Sequence, residues 1–220
     1  MNIHEVQLLC ADISQTRHFY HHNLGMDILY EDNHTLKLSA GLSTLVFKKD
    51  NSAGGVYHFA FNIPSNQFSQ AHSWACANLS LIPVKDDDTV ANFVNWNAKA
   101  FYFLDNNGNI VEFIARFELD NHSDKPFDGS SVCSISELGI VVPEARPYAE
   151  HLIKDYSLNY FHRQPPGDGF IALGDDDGLF IIVNEHRHWY PTDRPGGRYW
   201  FSARFSQGDK EATITMQNDY

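Results

Sequence analysis

The chain has 220 residues, of which 43% are apolar and 20% are charged, so it can form one large domain and does not resemble a disordered tail. Twenty-eight Asp and Glu residues against sixteen Lys and Arg residues give a net charge of −12. We expect neither nucleic acid nor membrane as a partner, because an acidic surface repels both and no apolar run approaches the ~20 residues of a membrane span.

The cysteines and aromatic residues carry further information about the environment and the interior. Cys10, Cys76 and Cys133 are scattered, odd in number and without a Cys-x-x-Cys spacing. Such cysteines are typical of reduced thiols, so the sequence predicts a cytoplasmic protein. An aromatic share of 14% and twelve histidines point to a cavity with aromatic walls and to a metal.

Hydrophobic patterning predicts one strand, one helix and three strands, and the same order then begins again. In the first repeat, Asp12 or Ser14 can cap the helix and Gly25 stops it. The first strands of the successive repeats are predicted at residues 3–10, 57–63, 137–142 and 199–205. The last of these begins a fourth repeat that the chain does not complete.

These repeats predict an α+β fold of βαβββ modules, with one full pair, a third degenerate module and a partial fourth. We expect the first two modules to form a domain at residues 1–119, followed by a linker at 120–131 and a half domain at 132–220. The partner of the third module stays open. It is the strand at 199–205, the N-terminal pair or another subunit, in which case the protein is a homodimer.

The spacing of two glutamates supports the repeat. Glu5 lies seven residues before Asp12, and Glu137 lies seven residues before Glu144, each at a helix start. Both glutamates lie on the strand face opposite the apolar side chains that a helix covers, so both are predicted on the concave side of the sheet. No later hairpin of the third module carries a glutamate, and we expect no second active site there.

Three polar side chains are predicted on concave faces of the first module pair. Glu5 lies on the first strand, His58 at the matching place of the second module, and Glu112 on that module's last strand. Isolated charges in an apolar cup are costly, and a divalent cation removes that cost while it leaves positions open for a substrate. One nitrogen and two oxygen donors favour Fe(II), Mn(II), Ni(II) or Zn(II). The alternative is an ordinary core histidine and two glutamates at solvated strand ends.

Three segments carry a resemblance to a known superfamily. They are EVQLLCADISQTRHFYHHNLGM, HFAFNIP and FYFLDNNGNIVEF, in this order along the chain. These segments resemble the vicinal oxygen chelate superfamily, which includes glyoxalase I, extradiol ring-cleaving dioxygenases and bleomycin-binding proteins. The resemblance covers residues 1–117 well and residues 132–205 more weakly, and Asn106 stands where the superfamily usually has proline.

The resemblance implies a metal held by Glu5, His58 and Glu112, with Glu5 at a place where the superfamily usually has His or Gln. It further implies that the cation takes two neighbouring oxygens of a small substrate, while Glu5 or Glu112 serves as a ligand or as a general base. The side chains that we expect to line the substrate cavity are Phe47, Phe93, Trp96 and Tyr102.

We therefore expect a small-molecule metalloenzyme, namely a lyase, an isomerase or a ring-cleaving dioxygenase. Dioxygen chemistry has less support, because residues 93–95 lack the histidine that the ring-cleaving dioxygenases carry there. A second interpretation is a metal-free protein that binds a flat aromatic compound, and a third is a scaffold whose role is a dimer interface. His186 and His188 are interpreted as part of a solvated loop.

Overall fold

The computed structural model describes residues 1–50 and 55–217 of the chain. These residues form three α-helices and fourteen strands, and all the strands belong to one mixed sheet. The α+β class and the repeated order of a strand, a helix and trailing strands that the sequence predicts are confirmed, with three trailing strands in the first repeat, four in the second and two in the third. None of the helices in the described ranges has the length and apolar character required to span a bilayer, since the longest has 12 residues.

The modules follow one another in chain order. The first comprises β1 (Asn2–Cys10), α1 (Ile13–Arg17), β2 (Ile28–Glu31), β3 (Thr35–Ala40) and β4 (Ser43–Lys49). The second comprises β5 (His58–Asn62), α2 (Phe68–Asn78), β6 (Leu81–Ile82), β7 (Ala91–Phe93), β8 (Ala98–Leu104) and β9 (Ile110–Arg116). The third comprises β10 (Ser134–Val142), α3 (Ala145–Tyr156), β11 (Phe170–Asp175) and β12 (Gly178–Asn184). A final hairpin consists of β13 (Phe201–Gln207) and β14 (Lys210–Met216).

The helical segment formed by α1 and the π-helical turn after it begins and ends where the local sequence predicts. Asp12 precedes it, and its Oδ1 accepts a hydrogen bond from Gln15 N at 2.9 Å. A π-helical segment, His18–Asn23, continues the helix and buries Tyr20. Gly25 then adopts a φ of +72°, which glycine tolerates and which stops the helix.

The modules pair in an order that differs from the predicted one. Strand β5 of module two pairs antiparallel with β10 of module three, and β13 pairs antiparallel with β1 of module one. Between β1 and β10 the structure has one in-register pair, Ile3 with Ile135. The predicted pairing within residues 1–119 is thus replaced by two halves of the sheet. Modules two and three form one half, and module one with the final hairpin forms the other.

Burial gives the physical reason for this pairing. All five residues of β5 and eight of the nine residues of β10 are buried. A buried strand needs partners along both edges, because unpaired backbone groups inside a protein are costly. Strand β5 lies between β9 and β10, and β10 pairs with β5 and β12. Both buried strands therefore find backbone hydrogen-bond partners along both edges within the same chain.

Alternate residues of the central strands point to opposite faces of the sheet and belong to two different hydrophobic clusters. Phe59 and Phe61 join the main core together with the buried faces of α2 and α3. Ala60, Ile110 and Val141 point to the other side of the sheet and form a smaller cluster. Because the helices cover the first side, the second side is free to form a cavity.

The predicted linker at residues 120–131 packs against the start of α2. The side-chain oxygen of Asn121 accepts a hydrogen bond from Ser65 N at 2.9 Å, and the carbonyl of Ser123 accepts one from Asn66 Nδ2 at 3.0 Å. The segment therefore connects modules two and three by a defined path along the protein surface.

Candidate metal centre

Three buried side chains meet on the helix-free side of modules two and three. His58, Glu112 and Glu137 each offer one ligand atom, and these atoms all lie within 4.8 Å of one another. Their exposed fractions are 6%, 2% and 3%, respectively. No other group of three or more His, Cys, Asp or Glu residues with this geometry occurs in residues 1–50 and 55–217.

The register of three adjacent strands brings these side chains together. In β9, Glu112 is in register with Ala60 of β5, and in β10, Glu137 is in register with the same Ala60. In-register residues of neighbouring strands point to the same face, and His58 lies two residues before Ala60 on that face. The small alanine side chain therefore leaves a gap between the two carboxylates.

His58 is oriented by the backbone of a neighbouring strand. Its Nδ1 lies 3.1 Å from the carbonyl oxygen of Ile110, and its Nε2 lies 3.6 Å from Oε2 of Glu112. Burial lowers the pKa of His58 to about 4, because it disfavours the charged form more than the Ile110 carbonyl favours it. The imidazole is thus neutral at neutral pH. With Nδ1–H donating to the carbonyl, Nε2 presents a lone pair to the site.

The two carboxylates have raised pKa values. Burial raises the pKa of Glu112 well above its usual range, and the nearby charge of Glu137 raises it further. The hydroxyl of Tyr102 donates a hydrogen bond to Glu112 and opposes part of this shift. Burial also raises the pKa of Glu137, while the charge and hydrogen bond of Arg116 act in the other direction.

Arg116 is a buried guanidinium beside the site and is 1% exposed. Its NH2 donates to Oε1 of Glu137, and its Nε donates to Oγ of Ser136 at 3.2 Å. Its Cζ lies 5.3 Å from the ring centroid of Trp96, so the cation also packs on an aromatic face. On the far side, NH1 lies 3.6 Å from Oδ1 of Asp176. Arg116 thus compensates part of the buried negative charge.

A cavity of about 420 Å³ opens above the three candidate ligands. Of the predicted wall residues, Phe93, Trp96 and Tyr102 line it. Phe47 does not, because it lies in the core on the helix side, where its ring centroid is 5.0 Å from that of Tyr20. The remaining walls are Gln164, Phe170, Ile181, Arg187, His188, Trp189 and Tyr190.

The structure places Glu5 outside the group of candidate ligands, although the sequence prediction included it. Glu5 lies on β1 in the other half of the sheet, in register with Arg204, and its Oε1 accepts a hydrogen bond from Gln7 at 2.6 Å. Glu137 joins His58 and Glu112 instead, because β10 and not β1 pairs with β5. The equal spacing of Glu5 and Glu137 before their helices was a sequence signal for this residue, but it did not identify the partner strand.

The loop that the sequence predicts to be solvated is exposed at His186 and His188, and it also forms part of the cavity wall. Arg187, His188, Trp189 and Tyr190 all line the cavity, and the ring centroids of Trp189 and His58 are 4.9 Å apart. Gly139 makes room for the indole, since a Cβ there would lie 2.6 Å from Cη2 of Trp189. Sequence patterning cannot reveal such a loop, because its path depends on a distant glycine.

Comparison with solved structures identifies the fold. No protein-family model and no curated protein matches the sequence. A Bacillus subtilis protein named as a candidate dioxygenase is 13% identical, with a TM-score of 0.62 over 98% of this chain and 84% of its own. The V278E mutant of glyoxalase I from Zea mays is 12% identical, with a TM-score of 0.57 over 89% of this chain and 70% of its own. The chain has the vicinal oxygen chelate fold.

The resemblance to the vicinal oxygen chelate superfamily that the sequence predicts is confirmed at the level of the fold. The donor set of this chain also fits a divalent cation. Two buried carboxylates lie close together, the one guanidinium beside them is bonded to Glu137, and a neutral imidazole turns a lone pair toward them. A buried His/Glu/Glu group of this kind suits Fe(II), Mn(II), Ni(II) or Zn(II).

Proposed function

We propose that this chain is a metal-dependent enzyme of the vicinal oxygen chelate type that acts on a small substrate with two adjacent oxygens. The observation that carries the proposal is the meeting of His58, Glu112 and Glu137 within 4.8 Å at the base of a cavity. The proposed reaction is that of a lyase, an isomerase or a ring-cleaving dioxygenase. The proposed cofactor is one divalent cation, namely iron, manganese, nickel or zinc.

The bound cation would act as a Lewis acid that polarises the two substrate oxygens. The chain itself supplies the orientation of the ligands. The Ile110 carbonyl holds the ring of His58, and Arg116 holds Glu137 through one carboxylate oxygen, so that the other oxygen remains available. Burial and the nearby charge of Glu137 raise the pKa of Glu112, which favours proton uptake at its carboxylate, so this side chain can accept and return a proton.

The cavity supports a small and flat substrate. Its volume of about 420 Å³ lies in the range of small-molecule sites. The ring centroids of Phe93 and Trp96 are 5.8 Å apart, and those of Tyr102 and Tyr190 are 5.7 Å apart. These rings exclude water from the buried carboxylates and favour a planar molecule between them.

A metal-free binding protein is a second candidate, and one observation favours it. Arg116 already neutralises one carboxylate, and the raised pKa of Glu112 allows that side chain to be neutral, so the site can be electrically balanced by protein groups alone. This candidate predicts that Glu112→Ala leaves ligand affinity nearly intact. It also predicts that Trp96→Ala weakens ligand binding by ~1–3 kcal/mol through lost stacking.

Metal analysis separates the two candidates. We expect protein purified without chelator to take up about one equivalent of Mn(II), Fe(II), Ni(II) or Zn(II) and to melt at a higher temperature when the metal is bound. His58→Ala and Glu137→Gln should abolish both effects. The matched control is Glu5→Gln, which also removes a glutamate from a first strand and should leave both effects in place. Uptake below about a tenth of an equivalent with unchanged melting would contradict the metal-dependent proposal.

A further inference from the structure

The opening of the cavity carries a cation without a counter-ion. Arg187 lines the cavity, is exposed, and forms no ion pair with any residue in the described ranges. The acidic residues nearest to it in sequence are engaged elsewhere. Glu185 pairs with Arg198 at 2.6 Å, and Asp193 lies 4.0 Å from His188. In a protein of net charge −12, an arginine left without a carboxylate at a cavity is a candidate for ligand binding.

The side chain of Arg187 is held at the cavity edge. Its Cζ lies 4.9 Å from the ring centroid of Phe170, which is itself a cavity wall. Its backbone is fixed as well, since Arg187 N donates to the carbonyl of Asn184 at 3.3 Å and Gly196 N donates to the carbonyl of Arg187 at 2.8 Å. The guanidinium thus has an aromatic surface beneath it and keeps its hydrogen-bond donors for a ligand.

The two ends of the cavity therefore differ in chemistry. The base holds Glu112, Glu137 and His58, which are the candidate ligands of a cation. Among the lining residues that the structure describes, Arg187 is the one Arg or Lys. A molecule that fills the cavity would meet the candidate ligands at its buried part and the guanidinium at its exposed part.

We propose that Arg187 selects substrates that carry a carboxylate at the end opposite their two adjacent oxygens. A planar body between the two ends is favoured by the aromatic walls, among them Phe93, Trp96 and Phe170. The planar guanidinium binds a carboxylate through two parallel hydrogen bonds, which a neutral substituent cannot replace. This inference rests on the proposed function, because it takes the adjacent oxygens to lie at the base of the cavity.

Two probe compounds test this selection. 3,4-Dihydroxybenzoate and 4-methylcatechol share an aromatic ring with two adjacent oxygens. The first compound carries a carboxylate at the position where the second carries a methyl group. We expect Mn(II)-loaded protein, titrated calorimetrically without dioxygen, to bind the carboxylate compound about five to ten times more tightly. Arg187→Gln should reduce this preference below about twofold by weakening the carboxylate compound alone, and Arg187→Lys should retain most of it.

A matched control separates the local effect from the change in net charge. Arg204→Gln removes an arginine from β13 in the other half of the sheet, where Arg204 pairs with Glu211 at 3.5 Å. We expect this variant to keep the preference of the wild-type protein. The preference of the wild-type protein should also weaken when salt is raised from about 50 to about 500 mM, because salt screens an exposed charge pair.

The possible results are distinguishable. Equal binding of the two compounds by the wild-type protein, or a preference that Arg187→Gln leaves intact, would contradict the role of Arg187 and leave the proposed function standing. Failure to load Mn(II), or failure of both compounds to bind, would contradict the proposed function and this inference with it.

Discussion

Burial determines the charge of the imidazole at the centre of the site. His58 is almost fully buried, its pKa is lowered to about 4, and its Nδ1 faces a backbone carbonyl. At neutral pH the side chain is therefore an uncharged ligand with one free lone pair. Glu112 and Glu137 shift in the opposite direction, because burial disfavours their charged form. A bound cation would favour the ionised form of both carboxylates and accept the lone pair of the neutral imidazole.

His58 should make the metal-free protein sensitive to acid. With a folded pKa of about 4 and an unfolded value of 6.5, the folded protein binds fewer protons than the unfolded chain between these pH values. The stability that a neutral His58 preserves is present above pH 6.5 and is lost as the pH falls toward 4. We expect the unfolding free energy of the wild type, relative to that of His58→Gln, to fall by about 3 kcal/mol when the pH is lowered from 7 to 4. Urea unfolding in the presence of a chelator measures both free energies, and a difference that does not change with pH would contradict the prediction.

Arg116 should matter for stability more than any surface arginine. Its removal leaves Glu137 without an ion-pair partner, whereas Asp176 keeps Arg163 at 3.5 Å. We expect Arg116→Met to lower the free energy of unfolding by about 3–5 kcal/mol, because it leaves a buried charge uncompensated. The control is Arg146→Met, since Arg146 is exposed and pairs with Asp168 at 3.4 Å, and it should cost less than about 1 kcal/mol. Equal effects of the two variants in urea unfolding would show that the buried ion pair is not a major contribution.

At the scale of elements, strand β5 organises the site. It lies between β9 and β10, and Ala60 at its centre is in register with one carboxylate on each side. The ligand set thus depends on two strand registers and one small side chain. A slip of either register by one residue would turn a glutamate to the helix side of the sheet.

Filling the gap at Ala60 should abolish metal binding without unfolding the protein. Ala60→Leu places a branched side chain between Glu112 and Glu137, at a cost of about 1–3 kcal/mol for overpacking. The matched control is Ala172→Leu, because Ala172 belongs to the same hydrophobic cluster but lies on β11. We expect Mn(II) titration to detect no binding to the first variant and near-normal binding to the second. Normal binding by Ala60→Leu would place the metal elsewhere.

Elements within a module were predictable from the sequence, whereas the pairing between modules was not. Each module has its own strand periodicity, and this local signal predicted His58 and Glu112 on concave faces. The choice between β1 and β10 as the neighbour of β5 depends on contacts between distant residues, such as the pair of Arg116 and Glu137. Local periodicity carries no information on such a contact, so Glu137 was placed on a concave face without a partner.

At the scale of the whole molecule, the two halves of the sheet have separate roles. Modules two and three hold the candidate ligands, and module one with the final hairpin extends the sheet and the core. Phe205 of β13 joins the halves, because its ring lies 5.0 Å from that of Phe180 in module three. Both rings belong to the core on the helix side.

Stability and metal binding should therefore be separable. We expect Phe205→Ala to lower the free energy of unfolding by about 3–5 kcal/mol, because it leaves a cavity in the main core. Below the melting temperature, its affinity for Mn(II) should stay within about threefold of wild type, since the cavity is on the helix side of the sheet. Calorimetric titration of the folded variant checks this, and a large loss of affinity would show that the halves are energetically coupled.

The antiparallel meeting of β5 and β10 has an evolutionary consequence. Two identical repeats around such a junction would give a symmetric site, in which every substitution appears twice. Here the two strands differ in sequence, and β5 supplies His58 while β10 supplies Glu137. Each side of the cleft can thus change by a single mutation, without a matching change on the other side.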